Sequence, residues 1–161
     1  MMEWSIVPGY DRREELAVLL AEYTQMLIEG EPAMALYLDQ QGYEDELAHL
    51  EEKYGPLDGR LYVAVAEGRV VGCIALRRLD ETRCELKRLY VVPDMRGRGI
   101  ARALTQRLIT DARQIGYRQM LLDTLPFLCE AIALYESEGF FQVERYNDSP
   151  LVRTSFYCLD L

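Results

Sequence analysis

The feature that most constrains the fold is a change in the pattern of apolar residues around Pro93, from that of a β-strand to that of an α-helix. Residues 84–92 form a β-rich run that stops at Pro93, which cannot donate a hydrogen bond to a sheet. A turn with two glycines follows, and apolar side chains then recur at helical spacing over residues 99–115. Residues 120–123 predict a further buried strand. A strand, a helix and a strand in this order predict a right-handed crossover between parallel strands.

The rest of the chain predicts the other elements of a mixed α/β sheet with helices on its faces. Helices are predicted at residues 12–28, 43–54 and 131–137. Strands are predicted near residues 5–7 and at residues 61–66, 70–76, 140–144 and 154–159. A chain of 161 residues is too short for two ordinary domains, so we expect residues 1–161 to form one domain.

Several classes of protein are disfavoured by the composition. No apolar run is long enough for a membrane helix, and the first residues do not resemble a secretion signal, so we expect a cytoplasmic protein that binds no membrane. Four irregularly spaced cysteines and a single histidine predict neither a disulfide framework nor a zinc site. His49 fits a helix surface better than a catalytic base.

Charge is distributed unevenly along this acidic chain. The net charge is −9, yet residues 87–118 hold 8 basic and 2 acidic side chains. A nucleic-acid-binding protein is usually basic over a wider face, whereas a compact basic island suits a small polyanion such as a nucleotide cofactor. We therefore expect no nucleic acid partner. The alternatives are a merely solvated basic helix face, or a DNA-binding helix built on Arg98, Arg102 and Arg107.

The turn after the β-rich run has the residue types of an anion site. Its sequence opens a helix, whose first N–H groups have no partner within the helix and bind anions well. Glycines permit positive φ and a close approach of the backbone, and arginines supply counter-charge. The residues are Arg96, Gly97, Arg98, Gly99, Ile100 and Ala101, with Arg102 directly after them.

Other glycine motifs fit this turn less well. A dinucleotide fingerprint requires a third small residue where this chain has Arg102, and a P-loop requires a Gly-Lys-Ser/Thr ending that is absent. A helix-starting turn that uses its glycines for geometry alone stays open as an alternative.

At this point the chain resembles the GNAT superfamily of acetyl-CoA-dependent N-acetyltransferases. The family motif Arg/Gln-x-x-Gly-x-Gly/Ala after a strand is matched by Arg96, Gly99 and Ala101. Residues 85–93 look like the fourth strand of the family, and residues 133–140 look like its later Leu-Tyr-x-x-x-Gly-Phe element. The resemblance covers residues 84–141. One departure is Leu128, which stands where related chains often have an asparagine that contacts the cofactor.

The resemblance implies a GNAT-like fold and a binding mode for acetyl-CoA. The fold would be a sheet of six to seven strands, splayed between strands 4 and 5 and flanked by about four helices. The pantetheine arm of the cofactor would lie in the splay. The implied cofactor-binding residues are the main-chain groups of Leu89, Tyr90 and Val91 for the arm, and Arg96, Gly97, Arg98, Gly99, Ile100 and Ala101 for the pyrophosphate.

Acetyl transfer to an amine also needs a base, an acid and a donor to the oxyanion. Glu85 lies in the cleft strand and is predicted to be the base, acting directly or through water; the alternative is an ion pair with Lys87 or an arginine. Tyr135 matches the family tyrosine that protonates the thiolate, although many tyrosines only fill a core. The Val91 amide is predicted to be the oxyanion donor. Cys129 is expected to be a bystander.

These residues predict an enzyme that acetylates a primary amine of a small molecule or peptide in a ternary complex, without a covalent intermediate. The acidic flanks favour a cationic acceptor, whose rate would fall as salt rises. The alternative is a catalytically silent module that binds acyl-CoA. The identity of the acceptor is not predicted, and a homodimer stays open.

Overall fold

The computed structural model describes residues 3–40, 43–149, 151 and 153–161. Its strands are β1 Trp4–Pro8, β2 Arg60–Ala66, β3 Arg69–Arg78, β4 Arg83–Val91, β5 Gln119–Thr124, β6 Phe141–Val143 and β7 Ser155–Asp160. Its α-helices are α1 Arg13–Gly30, α2 Met34–Gln40, α3 Tyr43–Ala48, α4 Leu50–Tyr54, α5 Ile100–Ile115 and α6 Cys129–Ser137, and a 3-10 turn spans Pro93–Met95.

All seven strands join one sheet in the order β1-β2-β3-β4-β5-β7-β6. Every neighbouring pair is antiparallel except β4 and β5, which are parallel. The helix α5 connects these two strands, as the change of period around Pro93 predicts. The predicted mixed α/β sheet, its strand count and its parallel central pair are therefore confirmed.

The two parallel strands stay together over a short distance only. β4 pairs with β5 from Arg83 to Glu85, opposite residues 119–121, whereas β4 continues to Val91. β5 instead pairs along its full length with β7 on its other side. The main chain of residues 86–91 therefore has no strand beside it on the β5 side. This is the splay between strands 4 and 5 that the resemblance implies.

A β-bulge bends β4 where the splay opens. Cys73 lies opposite Tyr90 and Ala75 opposite Lys87, so one residue of β3 faces two residues of β4. Arg88 is one of the two β4 residues that lie between Lys87 and Tyr90 in this bulge. Its φ is +61°, a conformation that costs a residue with a side chain about 1–2 kcal/mol. A bulge of this kind bends the strand and increases its twist.

A buried ion pair holds Arg88 in this strained conformation. The Nε and Nη2 atoms of Arg88 both donate to Glu46 of α3, at 2.8 Å each, and Lys53 donates to the same carboxylate at 2.6 Å. The side chains of Arg88 and Glu46 are 5% and 1% exposed. Burial alone would raise the pKa of Glu46, but the hydrogen bonds and charges of Arg88 and Lys53 lower it to about 2.

The helices between residues 34 and 54 differ from the prediction. The single helix predicted at residues 43–54 is interrupted at His49, whose backbone is not helical. Glu46, Leu50 and Tyr54 are buried on both sides of the interruption, so two short helices bury the face expected of one. The helix α2 was not predicted, because its apolar pattern is too short to stand out. Six α-helices are therefore described where about four were expected.

The main core lies between the middle strands and the helices α1, α4 and α5. Leu16 and Leu20 of α1 and Leu104 and Leu108 of α5 contribute fully buried side chains to it. A smaller apolar cluster joins α1 and α2 to the loops after β5 and before β7. Among the described residues, no helix has both the length and the apolar character needed to cross a lipid bilayer.

Removal of the charge on Glu46 should destabilise the protein strongly. We expect Glu46→Gln to lower the free energy of unfolding by about 3–5 kcal/mol, because the buried guanidinium of Arg88 loses the charged carboxylate that accepts two of its hydrogen bonds. Urea unfolding followed by circular dichroism measures the change. Glu52→Gln, at an exposed position of the neighbouring helix α4, is the matched control and should change stability by about 0.5 kcal/mol or less. Equal effects of the two substitutions would contradict the assigned role of Glu46.

The same carboxylate should make stability depend on pH in the acid range. A folded pKa of about 2 lies below the ordinary value of 4.5, so the stabilisation is complete above about pH 4.5 and is lost as the pH falls towards about 2. Urea unfolding at several pH values should show this loss in the wild type, and a shallower one in Glu46→Gln. Parallel pH profiles would show that Glu46 titrates normally.

Candidate active site

A cavity of about 800 Å³ lies in the gap that opens between β4 and β5. The bulged half of β4 and the first turn of α5 form one wall, and the end of β5 and the helix α6 form the other. Apolar side chains of α1 and α2, namely Met26, Leu27 and Met34, also line it. The cavity is therefore bordered by an unpaired strand edge and a helix N-terminus.

The Val91 main chain points into the gap. The neighbouring Val92 amide donates to the Val71 oxygen of β3 at 2.9 Å. In a strand, the N–H and C=O of one residue point to one side and those of the next residue to the other. The N–H and C=O of Val91 therefore point away from β3 and into the gap between β4 and β5. Its oxygen accepts a hydrogen bond from the Arg96 side chain at 2.9 Å, and no strand occupies the position facing its N–H.

The glycine turn has the backbone that its residue types predict. Gly97 and Gly99 have φ values of +76° and +83°, in the left-handed region that favours glycine. A Cβ atom at either position would meet nothing within 4 Å, so the space above both glycines is open. No side chain caps the N-terminus of α5. Main-chain N–H groups at this end are therefore available to an anion.

The arginines of the turn differ in their surroundings. Arg96 turns back towards β4, where its Nε bonds the Val91 oxygen and its guanidinium lies 5.5 Å from the centre of the Tyr90 ring. Arg102 forms an ion pair of 2.8 Å with Glu138. Arg98 is exposed and is not part of the cavity wall. Counter-charge for an anion is thus weaker here than the sequence alone indicates.

The structure brings together eight of the nine residues predicted to bind the cofactor, Arg98 being the exception. The eight residues that line the cavity are Leu89, Tyr90, Val91, Arg96, Gly97, Gly99, Ile100 and Ala101. Tyr90 also donates to Glu22 of α1 at 2.9 Å and packs on the Tyr23 ring, which fixes this part of the wall.

Tyr135 lines the same cavity from α6. Its side chain is 6% exposed and packs at 5.7 Å against the Phe140 ring. Burial, and to a smaller degree the nearby Tyr23 and Asp123, raise the pKa of its hydroxyl. The group therefore stays protonated at neutral pH. Cys129 and Leu128 also line the cavity.

Glu85 does not line this cavity but a second one, of about 570 Å³. It is the last residue of β4 that pairs with β5, so it lies where the strands begin to separate. Tyr146 donates to its Oε2 at 2.5 Å, and Arg77 and Lys87 lie 3.4 and 3.7 Å from its Oε1. Glu85 thus forms the ion pairs of the alternative interpretation, at the wall of a cavity.

Lys87 connects the two cavities, because it lines both. Its side chain is 7% exposed, and its nearest ion-pair partner among the described residues is Glu85. Burial and the charge of Arg88 lower the pKa of Lys87 to about 8, although Glu85 and Asp123 act in the opposite direction. A partly desolvated ammonium group therefore lies at the boundary between the two spaces.

Sequence reasoning missed several residues of these cavities. Tyr23 comes from a helix whose apolar pattern indicates only a core contact, and Tyr146 comes from a loop without a motif. Asp123 and Thr124 lie at the end of β5, where strand ends commonly carry functional groups, and this position is the one signal that was available. Asn147 donates to Asp123 at 2.8 Å and ties the loop before β7 to β5.

Comparison with known proteins identifies the family of the chain. Residues 21–140 match the model of the acetyltransferase (GNAT) family. The chain belongs to the GNAT acetyltransferases. The suspected resemblance is confirmed, and the protein is an acyltransferase.

Relatives of this GNAT protein occur in distant organisms. It is 35% identical over 150 residues to an uncharacterised N-acetyltransferase of Schizosaccharomyces pombe, covering 92% of this chain and 88% of the relative. It is 38% identical over 130 residues to the N-acetylaspartate synthetase of Danio rerio, covering 74% of this chain and 46% of that protein. The PaiA N-acetyltransferase of Thermoplasma acidophilum, solved with coenzyme A, has a TM-score of 0.74 at 18% identity, with 99% of this chain and all of the other covered.

The residues of this GNAT protein fit its family cosubstrate, and the prediction of acetyl-CoA is confirmed at the level of the family. The open space above Gly97 and Gly99 admits a pyrophosphate close to the backbone, and the strand edge ending at Val91 offers main-chain groups to an extended arm. Bound acetyl-CoA supplies an activated acetyl group as a thioester.

A methyl group in the open space at the turn should weaken coenzyme binding. Gly99→Ala is expected to raise the Kd of coenzyme A in calorimetry by about tenfold, or 1.4 kcal/mol, by obstructing close approach to the backbone. Gly68→Ala is the matched control, since Gly68 has a φ of +77° and equally open surroundings in the hairpin between β2 and β3. Both should lose a similar stability of about 1–2 kcal/mol. An unchanged Kd in Gly99→Ala would contradict the placement of the pyrophosphate.

Proposed function

We propose that this protein transfers the acetyl group of acetyl-CoA to the primary amine of a small molecule or peptide by direct attack within a ternary complex. The observation that carries the proposal is that two cavities share Lys87 as a wall residue, beside the strand edge where β4 leaves β5. One cavity fits the donor and the other is free for an acceptor. A direct transfer needs both in contact.

Donor binding is assigned to the first cavity. The main chain of Leu89, Tyr90 and Val91 would hold the pantetheine arm, and the N–H groups at residues 96–101 would hold the pyrophosphate. The Val91 amide would donate to the oxygen of the reacting carbonyl, because its N–H faces the gap. Cys129 lies at this cavity but is not needed as a nucleophile.

Proton transfer is assigned to Glu85 and Tyr135. Glu85 would accept the proton that the amine nitrogen loses as the new C–N bond forms, directly or through a water. Tyr135 would donate a proton to the sulfur as the C–S bond breaks, which yields an amide and free coenzyme A. Burial raises the pKa of Tyr135, so its hydroxyl is protonated at neutral pH when the reaction begins.

A module that binds acyl-CoA without turnover is the competing function. It is supported by the ion pairs that occupy Glu85, since a paired carboxylate is a common structural feature. Coenzyme A release, measured with amines that include free amino acids, polyamines and basic peptides, separates the two functions. One relative is named N-acetylaspartate synthetase, which supports the inclusion of free amino acids. Coenzyme binding without release for any amine would favour the module.

Removal of either proton-transfer group should lower the rate and leave coenzyme binding intact. Glu85→Gln and Tyr135→Phe are each expected to lower kcat by on the order of 10²-fold, which is typical of a lost general base or acid. Steady-state coenzyme A release measures kcat, and calorimetry measures the Kd of coenzyme A.

Tyr157→Phe is the matched control for this prediction. Tyr157 is also buried, at 7% exposed, but it lies on β7 and lines neither cavity. It should keep the wild-type kcat. A variant of Glu85 or Tyr135 that folds, binds coenzyme A and keeps its full rate would remove that residue from the mechanism.

A further inference from the structure

The second cavity has a charge opposite to that of the protein as a whole. Four cationic side chains and two carboxylates line it: Lys53, Arg77, Arg83 and Lys87, with Glu85 and Asp148. The whole chain has a net charge of −9. A cluster of cations in an acidic protein concentrates an anion at that place.

Pairing inside the cavity leaves two of these cations with one carboxylate between them. Lys53 and Arg83 have close partners of their own, Glu46 at 2.6 Å and Asp80 at 2.7 Å. Arg77 and Lys87 instead share Glu85, whose Oε1 lies 3.4 Å from the former and 3.7 Å from the latter. Both distances exceed those of a good charge-assisted hydrogen bond.

Arg77, Lys87 and Tyr146 all interact with the Glu85 carboxylate, which weakens the ion pairs of the two cations further. Its other oxygen, Oε2, accepts the Tyr146 hydroxyl at 2.5 Å, so neither cation has a carboxylate to itself. No hydrogen bond to the Lys87 ammonium forms within the described part of the chain, although its side chain is 93% buried. The Nζ atom is not among the fully buried polar atoms that lack a partner, so it keeps access to the cavity, where a bound anion would accept a hydrogen bond from it.

We propose that the acceptor of this enzyme is a small amine that carries a carboxylate, which Arg77 and Lys87 bind in the second cavity. The inference rests on the proposed acetyl transfer and names its substrate class. A guanidinium presents two parallel N–H donors to a carboxylate, and the buried ammonium adds a third donor. The volume of about 570 Å³ suits a molecule of the size of an amino acid or a dipeptide.

The position of Lys87 places the amine of such an acceptor near the donor. Lys87 borders both cavities, so an acceptor whose carboxylate is held there lies against the wall that the second cavity shares with the first. Glu85 lies next to both cations and is available to the amine end of the acceptor. Because Lys53 and Arg83 have carboxylate partners of their own, the preference for an anion rests on Arg77 and Lys87, which share Glu85.

Matched acceptors that differ in one carboxylate test the proposal. Coenzyme A release is measured with L-alanine against L-alaninamide, with L-aspartate against L-asparagine, and with putrescine as a cationic amine. In at least one of the two matched pairs, the compound with the additional carboxylate should have a kcat/KM higher by on the order of 10²-fold. The reason is that its removal leaves hydrogen-bond donors in the cavity unpaired. At neutral pH a larger fraction of alaninamide than of alanine has a neutral amine, so a preference for alanine does not come from the protonation state of the amine.

Variants then connect the preference to the cavity. Arg77→Ala and Lys87→Met should each raise the KM of the preferred carboxylate acceptor at least tenfold, and Arg77→Ala, which changes only the second cavity, should leave the Kd of coenzyme A unchanged. Arg78→Ala is the matched control, since Arg78 is the next residue of β3, is exposed and lines neither cavity. Urea unfolding confirms that each variant is folded.

Failure of the inference and failure of the proposed function give different results. Turnover of alaninamide and putrescine as fast as that of alanine, aspartate and asparagine overturns the inference and leaves acetyl transfer intact. Binding of coenzyme A without turnover of any amine counts against the function. In that case, calorimetric titration of L-aspartate and L-alanine into protein saturated with coenzyme A decides the inference: binding that is lost in Arg77→Ala supports it, and absence of binding overturns it.

Discussion

The ion pair between Arg88 and Glu46 is the interaction on which the geometry of both cavities depends. Arg88 lies in the β-bulge of β4 and has a positive φ. Such backbone strain persists only where surrounding contacts fix the residue. Two hydrogen bonds of 2.8 Å to Glu46 supply that constraint from a different helix. The bulge bends β4 away from β5, so residues 86–91 keep a free edge. A change in this buried pair therefore acts on the donor cavity and on the acceptor cavity together.

The two cavities divide the reaction according to the character of their walls. The first offers main-chain groups, glycines and apolar side chains, which suit an extended arm and a pyrophosphate held by N–H donors. The second offers charged side chains, which select an acceptor by its own charge. Lys87 belongs to both walls.

Local sequence patterns predicted the central part of the fold, and contacts between distant segments explain what they missed. The strand, turn and helix around residues 84–115 were predictable because each is set by its own residues, including the positive φ of Gly97 and Gly99. The positive φ of Arg88 was not, since it depends on Glu46, 42 residues earlier. The second cavity combines residues 53, 77, 87 and 146 from separate segments. The net charge of each sequence segment did not indicate this cavity for the same reason, because its cations Lys53 and Arg77 lie within the acidic first half of the chain.

The basic island of residues 87–118 also has a different role from the one its charge indicates. Arg88 pairs with Glu46, Arg102 with Glu138 and Arg107 with Asp111, so much of its charge is compensated within the protein. Arg96 fixes the turn against Val91 and Tyr90. In the proposed binding mode a pyrophosphate would be held mainly by main-chain N–H groups and by the dipole of α5, which need no free arginine. Binding through backbone groups explains why the glycines, whose conformation brings those groups into the open, predicted the donor site better than the arginines did.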